Sequence, residues 1–390
     1  LRILYAGTLP PHQGGSALLA GQLLIELARR GHEIVAVSPI AESAAAAGDP
    51  MASRGIDIRR VLMAFTDNSP DRPPSEDYEQ REGSLTLELV EQALAERPFD
   101  LLLVGRESFV PYVADLHSLP RVLIVAGTTI AGIDNGRYPR ERAEPVLAAI
   151  REFDLVLTSA EPVVRTMADL GVPAVQVIRN PVDTTVFHPG PPSPELRSAL
   201  GITDRDIVVA HASNMKAQKR PLDIVEAAAL ALARDERLLF VIAGDGALRA
   251  EMEAECERRG LSDRFRFIGW IDHGAVADLF RTAQMLVMPS WFEAQALVYL
   301  EAQACGCPLV VSDIPAARVV VEDGATGLIF ALGDPAGMAD RIVALAADAD
   351  LRRRLAANAL DQVQAHALPR VADEYETQFT SLLAQRASSS

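Results

Sequence analysis

Ile207-Val-Val-Ala-His-Ala-Ser-Asn-Met-Lys-Ala-Gln-Lys-Arg220, running into Pro221-Leu-Asp-Ile-Val-Glu-Ala-Ala-Ala-Leu-Ala-Leu-Ala233, holds the unit from which this chain is built. Ile207–His211 reads as a short buried strand and Leu222–Ala233 as a helix, with a polar turn between them. The turn holds both lysines of the chain, Lys216 and Lys219, although 37 residues are lysine or arginine. A lysine kept in so arginine-rich a chain points to a place that needs a compact, flexible charge and not a planar fork. At the mouth of a strand-to-helix turn, that need is met by a phosphate. Chance clustering of two lysines is the competing explanation.

The same strand–turn–helix pattern extends in both directions. Upstream, Arg2–Ala6, Glu33–Ser38, Leu101–Val104, Val122–Val125, Leu155–Thr158 and Ala174–Ile178 read as strands. Helical stretches Ala17–Arg30, Leu85–Glu96, Glu141–Glu152 and Glu161–Leu170 lie between most of them. Downstream, strands Leu238–Ala243, Phe265–Ile268, Met285–Met288 and Leu309–Ser312 alternate with helices Ala247–Arg259, Ala275–Thr282 and Leu297–Ala304. Short apolar strands alternating with helices imply right-handed crossovers and parallel sheets covered on both faces. The expected fold is α/β, with two doubly wound, Rossmann-like domains facing across an interdomain cleft. The first spans 1–183 and the second 184–368, with proline-rich Phe187–Pro194 as the linker. A last helix within 369–390, Val371–Leu383, is expected to pack back on the first domain, with Pro369 at its start. The segment Ala41–Gly83 is the least regular, either a mobile loop beside the acceptor side or surface disorder.

Composition narrows the function. With 49% hydrophobic and 23% charged residues the chain is globular, and no apolar run approaches a membrane span. A net charge of −16 argues against nucleic-acid partners. Cys256, Cys305 and Cys307 supply neither a disulfide framework nor metal-ligand spacing, which favours a cytoplasmic protein. Asp204-x-Asp206 and Asp348-x-Asp350 have pair spacing but stand in unsuitable places, so no metal is expected. Of the histidines, His12 and His117 are expected near the cleft and His32 to be structural. No nucleotide-triphosphatase or dehydrogenase glycine signature is present.

Two glutamates carry the next signal, in Pro289-Ser-Trp-Phe-Glu293-Ala-Gln-Ala-Leu-Val-Tyr-Leu-Glu301. On one continuous helix they would lie about 12 Å apart along the axis, suiting an extended ligand better than a shared metal. Glu293 is expected at the loop entering the helix, where free N–H groups favour an anion. Taken alone, the pair could equally be an ordinary helix-start acid and a surface acid.

The pair is not alone. This run resembles the Glu-x7-Glu motif of the retaining, GT-B-fold glycosyltransferases of family 4, group 1. Further resemblance lies, in family order, in Gly14-Gly15, Asn180-Pro-Val-Asp183, Phe187-His-Pro189, Gly244-Asp-Gly246, Phe267-Ile-Gly269, Pro289-Ser290, Ser312-Asp-Ile-Pro315 and Glu322-Asp-Gly324-x-x-Gly327. Gly14-Gly-Ser16, Gly31-His-Glu33 and the lysine turn are similar to the subgroup acting on small polar acceptors, including N-acetylglucosaminyl-malate synthases.

The resemblance implies a role for each matching residue. Lys219 would contact the donor diphosphate, Glu301 the ribose and Glu293 the sugar hydroxyls. The backbone of Ala296, Leu297 and Val298 would lie near sugar and phosphate, Gly244 and Asn214 would also line the donor site, and Trp270 and Ile271 would border the base beside Gly269. Lys219 and Glu293 are the expected catalytic pair. Gly15 would approach phosphate or acceptor, and His12, Gly14, Ser16, Thr128 and Thr129 would place the acceptor. The chain departs from the family pattern at four places. Asn214 stands where the family has a phosphate-binding arginine, and Ala126-Gly-Thr-Thr129 replaces His-Gly-Thr-Asp. Gln295-Ala296 replaces Phe-Gly, and Pro315–Val319 replaces Gly-Gly-x-Pro-Glu. The expected function is metal-independent, retaining transfer of a hexose from a UDP- or GDP-sugar co-substrate to a small acceptor, in specialised metabolism or thiol biosynthesis, by a monomer or homodimer without other cofactors. The alternatives are an epimerase on the same architecture and a sugar-nucleotide-binding protein with weakened catalysis.

Overall fold

A computed structural model describes the chain except residues 12–14, 43–44, 46–48, 50, 52–53, 64–74, 126–127, 135–137, 160, 173, 294–296 and 390. It divides into two units, Leu1–Pro181 with Leu368–Ser390, and Val182–Ala367. The first unit is built on seven parallel strands: β1 (Arg2–Ala6), β2 (Glu33–Ala41), β3 (Asp57–Met63), β4 (Leu101–Val104), β5 (Arg121–Val125), β6 (Leu155–Thr158) and β7 (Val175–Val177). Their order is β3-β2-β1-β4-β5-β6-β7. Alternate residues feed two cores, one on each face. Leu4, Ala6, Val35 and Val37 face one way with Val90 and Ala93 of the helix Glu76–Glu96. Ile3, Tyr5, Ile34 and Ala36 face the other, with Leu24 and Leu27 of the helix Gly15–Arg29. A period of two with both faces apolar produces the near-continuous hydrophobic runs seen in the sequence.

The helix Leu368–Ser389 belongs to this unit, and its Val371, Ala372, Tyr375 and Phe379 join the Ile3–Tyr5 core. Arg30 fixes its start, donating to Asp373, Glu376 and the Pro369 carbonyl, while His32 meets Glu376 at 2.6 Å. The irregular reading of 41–83 is corrected at 57–63 and from 75 onward, while 64–74 and most of 43–53 lie outside the described residues. Asp57–Met63 forms β3, in parallel register with Val35–Ala41, and Ser75 caps a helix that begins at Glu76. The sequence disguises this edge strand because it carries Arg59 and Arg60, held by Glu96 and Asp49, instead of an apolar run.

The second unit has six parallel strands: β8 (Ile207–Ala212), β9 (Leu238–Ala243), β10 (Phe265–Gly269), β11 (Met285–Met288), β12 (Leu309–Ser312) and β13 (Leu328–Phe330). Their order is β10-β9-β8-β11-β12-β13. The linker reading of Phe187–Pro194 is corrected too. Phe187 is 1% exposed inside this unit's core, and Pro194 opens a helix capped by Ser193. The chain passes between units at Pro181/Val182 and again at Ala367/Leu368, and Val182 donates to the His366 carbonyl at 2.8 Å. Both sheets are doubly wound. In each, the strand order reverses once, between β1 and β4 and between β8 and β11. Loops leaving two such neighbours run apart, opening a crevice at the carboxyl edge where ligands bind.

Candidate active site

The β8/β11 reversal brings Lys219 and Glu293 together. The chain leaves β8, makes a short 3₁₀ turn at Ala217–Lys219 and enters the helix Pro221–Leu232. From the other side, the loop after β11 delivers Glu293. Lys219 Nζ donates to Glu293 Oε1 at 2.6 Å and to Oε2 at 2.7 Å. The carboxylate side chain is 5% exposed and the ammonium 19%, so the pair is largely withdrawn from water and its partners depend on each other. Glu293 stands before the helix Leu297–Ala304, not within it, so its separation from Glu301 is not a distance along one helix. Beneath it, burial raises the Tyr299 hydroxyl pKa, with the Glu293 charge adding to the effect.

Backbone bonds hold the two loops together. Trp291 N–H donates to the Gln218 carbonyl at 3.0 Å, and Gln218 Nε2 to the Phe292 carbonyl at 2.7 Å. His211, fully buried in β8, bonds the Val287 carbonyl of β11 through Nδ1 and Ser213 Oγ through Nε2, at 2.9 and 2.7 Å. Burial depresses its pKa to about 4, so it is neutral at pH 7. With Nδ1 donating to a carbonyl, Nε2 accepts the Ser213 proton, which fixes the start of the loop.

The loop after β9 closes on the same place. Met215 N–H donates to the Asp245 carbonyl at 2.8 Å and Gly244 N–H to the Gly269 carbonyl at 2.7 Å. Gly244 has φ 107°, and a Cβ there would fall 1.9 Å from the Ser213 carbonyl oxygen. Asn214 directs its amide oxygen to within 2.7 Å of where a Gly246 Cβ would stand. Arg220 has φ 48°, the one non-glycine positive φ among the described residues, and its guanidinium is held by Asp223. Trp270, 56% exposed, and the part-buried Ile271 follow β10 on this same carboxyl edge. Glu301 keeps some exposed surface, yet burial raises its pKa to about 7. Leu297 and Val298 form the first turn of its helix.

In the first unit, Gly15 and Ser16 begin the helix Gly15–Arg29 after β1, and Thr128 and Thr129 begin the helix Thr128–Asp134 after β5. His12, Gly14, Ala126 and Ala296 lie outside the described residues. His117 is a correction: it sits in the turn leading into β5, at the amino edge of the sheet and away from the carboxyl-edge loops. The sequence reading also passed over the loop after β4. There Gly105 and Gly7 flank the Tyr5 hydroxyl, a Cβ at either glycine lying within 2.4 Å of it. Arg106 follows, donating to buried Glu82 at 2.9 Å. Their signal was positional, a Gly-Arg-Glu run at the end of a buried strand.

Residues 192–362 match the family described as glycosyl transferases group 1, and residues 13–186 match glycosyltransferase family 4. The chain belongs to the family 4, group 1 glycosyltransferases. It is 35% identical to an alpha-D-kanosaminyltransferase of Streptomyces kanamyceticus over 42% of each chain. It is 30% identical to a D-inositol 3-phosphate glycosyltransferase of Kribbella flavida, over 65% of this chain and 62% of that one. An N-acetyl-alpha-D-glucosaminyl L-malate synthase of Bacillus anthracis is 26% identical over 96% of this chain and 95% of its own. The chain thus spans less than two thirds of the first two relatives. The fold is GT-B, shared with Anabaena HepE solved with UDP and glucose: TM-score 0.79, 18% identity, covering 98% of this chain and all of that one. Among the described residues no helix is long and apolar enough to cross a membrane.

Proposed function

We propose that this chain transfers a hexose from a UDP- or GDP-sugar to a small polar acceptor, with retention at the anomeric carbon and without a metal ion. The observation that carries this reading is the Lys219–Glu293 pair across the β8/β11 reversal, where a doubly wound sheet receives nucleotides. When the bond from the anomeric carbon to the β-phosphate oxygen breaks, its electron pair stays on the departing diphosphate. Lys219 can neutralise that charge by turning from Glu293 to the diphosphate, where a fixed cation stabilises the developing anion. Glu293, relieved of the lysine, accepts hydrogen bonds from the sugar hydroxyls. The acceptor oxygen or sulfur bonds to the anomeric carbon on the face the diphosphate leaves, and its proton passes to the departing phosphate oxygen, so no separate protein base is required. Glu301 takes the ribose hydroxyls, and Trp270 and Ile271 border the base.

The relatives' printed names, an alpha-D-kanosaminyltransferase, a D-inositol 3-phosphate glycosyltransferase and an N-acetyl-alpha-D-glucosaminyl L-malate synthase, favour a small polar acceptor. The test is turnover of UDP- and GDP-sugars by the purified protein with small acceptors, followed by NMR of the product's anomeric proton. Retention, unchanged by chelator, is the expected result. Inversion, a need for a protein-bound divalent ion, or release of free epimerised sugar overturns the reading.

A further inference from the structure

The first unit has a reversal of its own, between β1 and β4, and the side chains gathered along that carboxyl edge are unusual in their charge balance. Among the described residues, Arg106, Arg142 and Arg60 stand there, and each is tied to a carboxylate. Arg106 donates to Glu82 at 2.9 Å, Arg142 donates to Glu79, and Arg60 holds Asp49 at 2.6 and 2.8 Å while bracing the Pro10 carbonyl. Glu82 is 1% exposed, and the Arg142 and Glu79 side chains 14% and 11%, so these pairs are not surface decoration. The network is also incompletely satisfied. Of the eight buried side-chain polar atoms without a hydrogen-bond partner among the described residues, four belong here: Glu82 Oε2, Ser108 Oγ, Arg142 Nε and Arg60 Nη1. Native interiors leave few such atoms unpaired, and a cluster of them beside a ligand crevice calls for a polar ligand that can both donate and accept.

We propose that the acceptor bound at this reversal is an uncharged or amino-bearing polyol, and that Glu79 and Glu82 determine this by occupying the arginine charges a phosphate or carboxylate would need. The inference rests on the transferase reading above and names its acceptor class. A phosphorylated acceptor could recruit Arg106 or Arg142 only by breaking a buried ion pair, and a phosphate, unlike the donor's sugar hydroxyls at Glu293, offers the released glutamate no hydrogen-bond donor, so its charge is left uncompensated. Hydroxyls make no such demand, and an ammonium group has Glu82 Oε2, the carboxylate oxygen of these pairs that lacks a partner among the described residues.

The experiment uses the full chain with its preferred nucleotide sugar and two matched acceptor pairs, myo-inositol against inositol monophosphate and glucosamine against glucosamine 6-phosphate. The expected kcat/KM is at least about tenfold higher for the unphosphorylated member of a pair. Glu79→Gln frees Arg142 and should narrow that ratio by raising kcat/KM for the phosphorylated member, with donor KM unchanged. Glu79 is the first choice because Glu82→Gln, at a fully buried site, risks misfolding. A wild-type preference for the phosphorylated members, or donor hydrolysis with transfer to neither unphosphorylated acceptor, overturns the inference while leaving the transferase reading standing. Failure to bind any nucleotide sugar would instead overturn the transferase reading, and this inference with it.

Discussion

At the scale of single residues, the Lys219–Glu293 pair predicts two separable losses. Lys219→Ala should lower turnover by roughly one to two decades, the worth of a charge-assisted phosphate contact of about 1.5–3 kcal/mol. It should also destabilise the second unit by about 3–5 kcal/mol, because Glu293 is left buried without its counter-charge. A Lys219→Met, Glu293→Gln double variant should recover most of that stability in a urea titration yet remain inactive. Recovery of activity along with stability would show the pair to be structural only. Two other buried groups set opposed pH dependences. The His211 pKa lies at about 4 in the fold against 6.5 unfolded, so the stability of its neutral form is complete above pH 6.5 and is lost as pH falls toward 4. The Glu301 pKa lies at about 7 against 4.5, so the stability of its protonated form is complete below pH 4.5 and is lost as pH rises toward 7. Each is worth roughly 3 kcal/mol at most, and the two slopes oppose between pH 4.5 and 6.5. Glu301→Gln should therefore steepen the loss of stability between pH 6.5 and 4.5 relative to wild type. Equal slopes in the two proteins would contradict the burial-raised pKa of Glu301.

At the scale of elements, the loops after β8, β9 and β11 act as one assembly, and Gly244 is its tightest point. Gly244→Ala places a methyl 1.9 Å from the Ser213 carbonyl at a φ of 107°, so something must shift. The expected cost is on the order of 3 kcal/mol with a matching fall in kcat/KM, because the strand of chain displaced is the one that carries Lys219. Wild-type stability in this variant would mean the loops are not interlocked. Most of the elements were legible because buried parallel strands announce themselves as apolar runs bounded by turns, as Leu101–Val104 and Leu309–Ser312 do. β3 was hidden because an edge strand needs only Val61 and Met63 in one core and Ile58 against the other, and tolerates arginines, which look like loop in a linear reading. Phe187–Pro194 looked like a linker because prolines are read as breakers, whereas the neighbouring phenylalanine fills a core. The lysine turn and the two glutamates marked the candidate site from residue type and spacing. The ion pair itself, the His211–Val287 bond and the Arg106–Glu82 pair join positions 74, 76 and 24 residues apart, and their geometry is a product of topology that spacing does not encode.

At the scale of the whole molecule, the chain is two copies of one architectural idea, each a doubly wound sheet with a crevice at its point of reversal, and the chemistry of the two crevices differs. The second unit presents a lysine that a diphosphate can draw away from its glutamate, while the first presents arginines already neutralised by carboxylates. That division fits a donor held by Val182–Ala367 and an acceptor held by the other unit, with the helix Leu368–Ser389 returning to complete the first core. The central claim is that the β8/β11 reversal is where the nucleotide sugar binds. Amide hydrogen exchange followed by mass spectrometry, with and without a saturating UDP- or GDP-sugar, tests it most directly. The account predicts slowed exchange in 213–220, 244–248, 270–271 and 289–301. Protection confined to the first unit, or no change in those four segments at saturating donor, would contradict it.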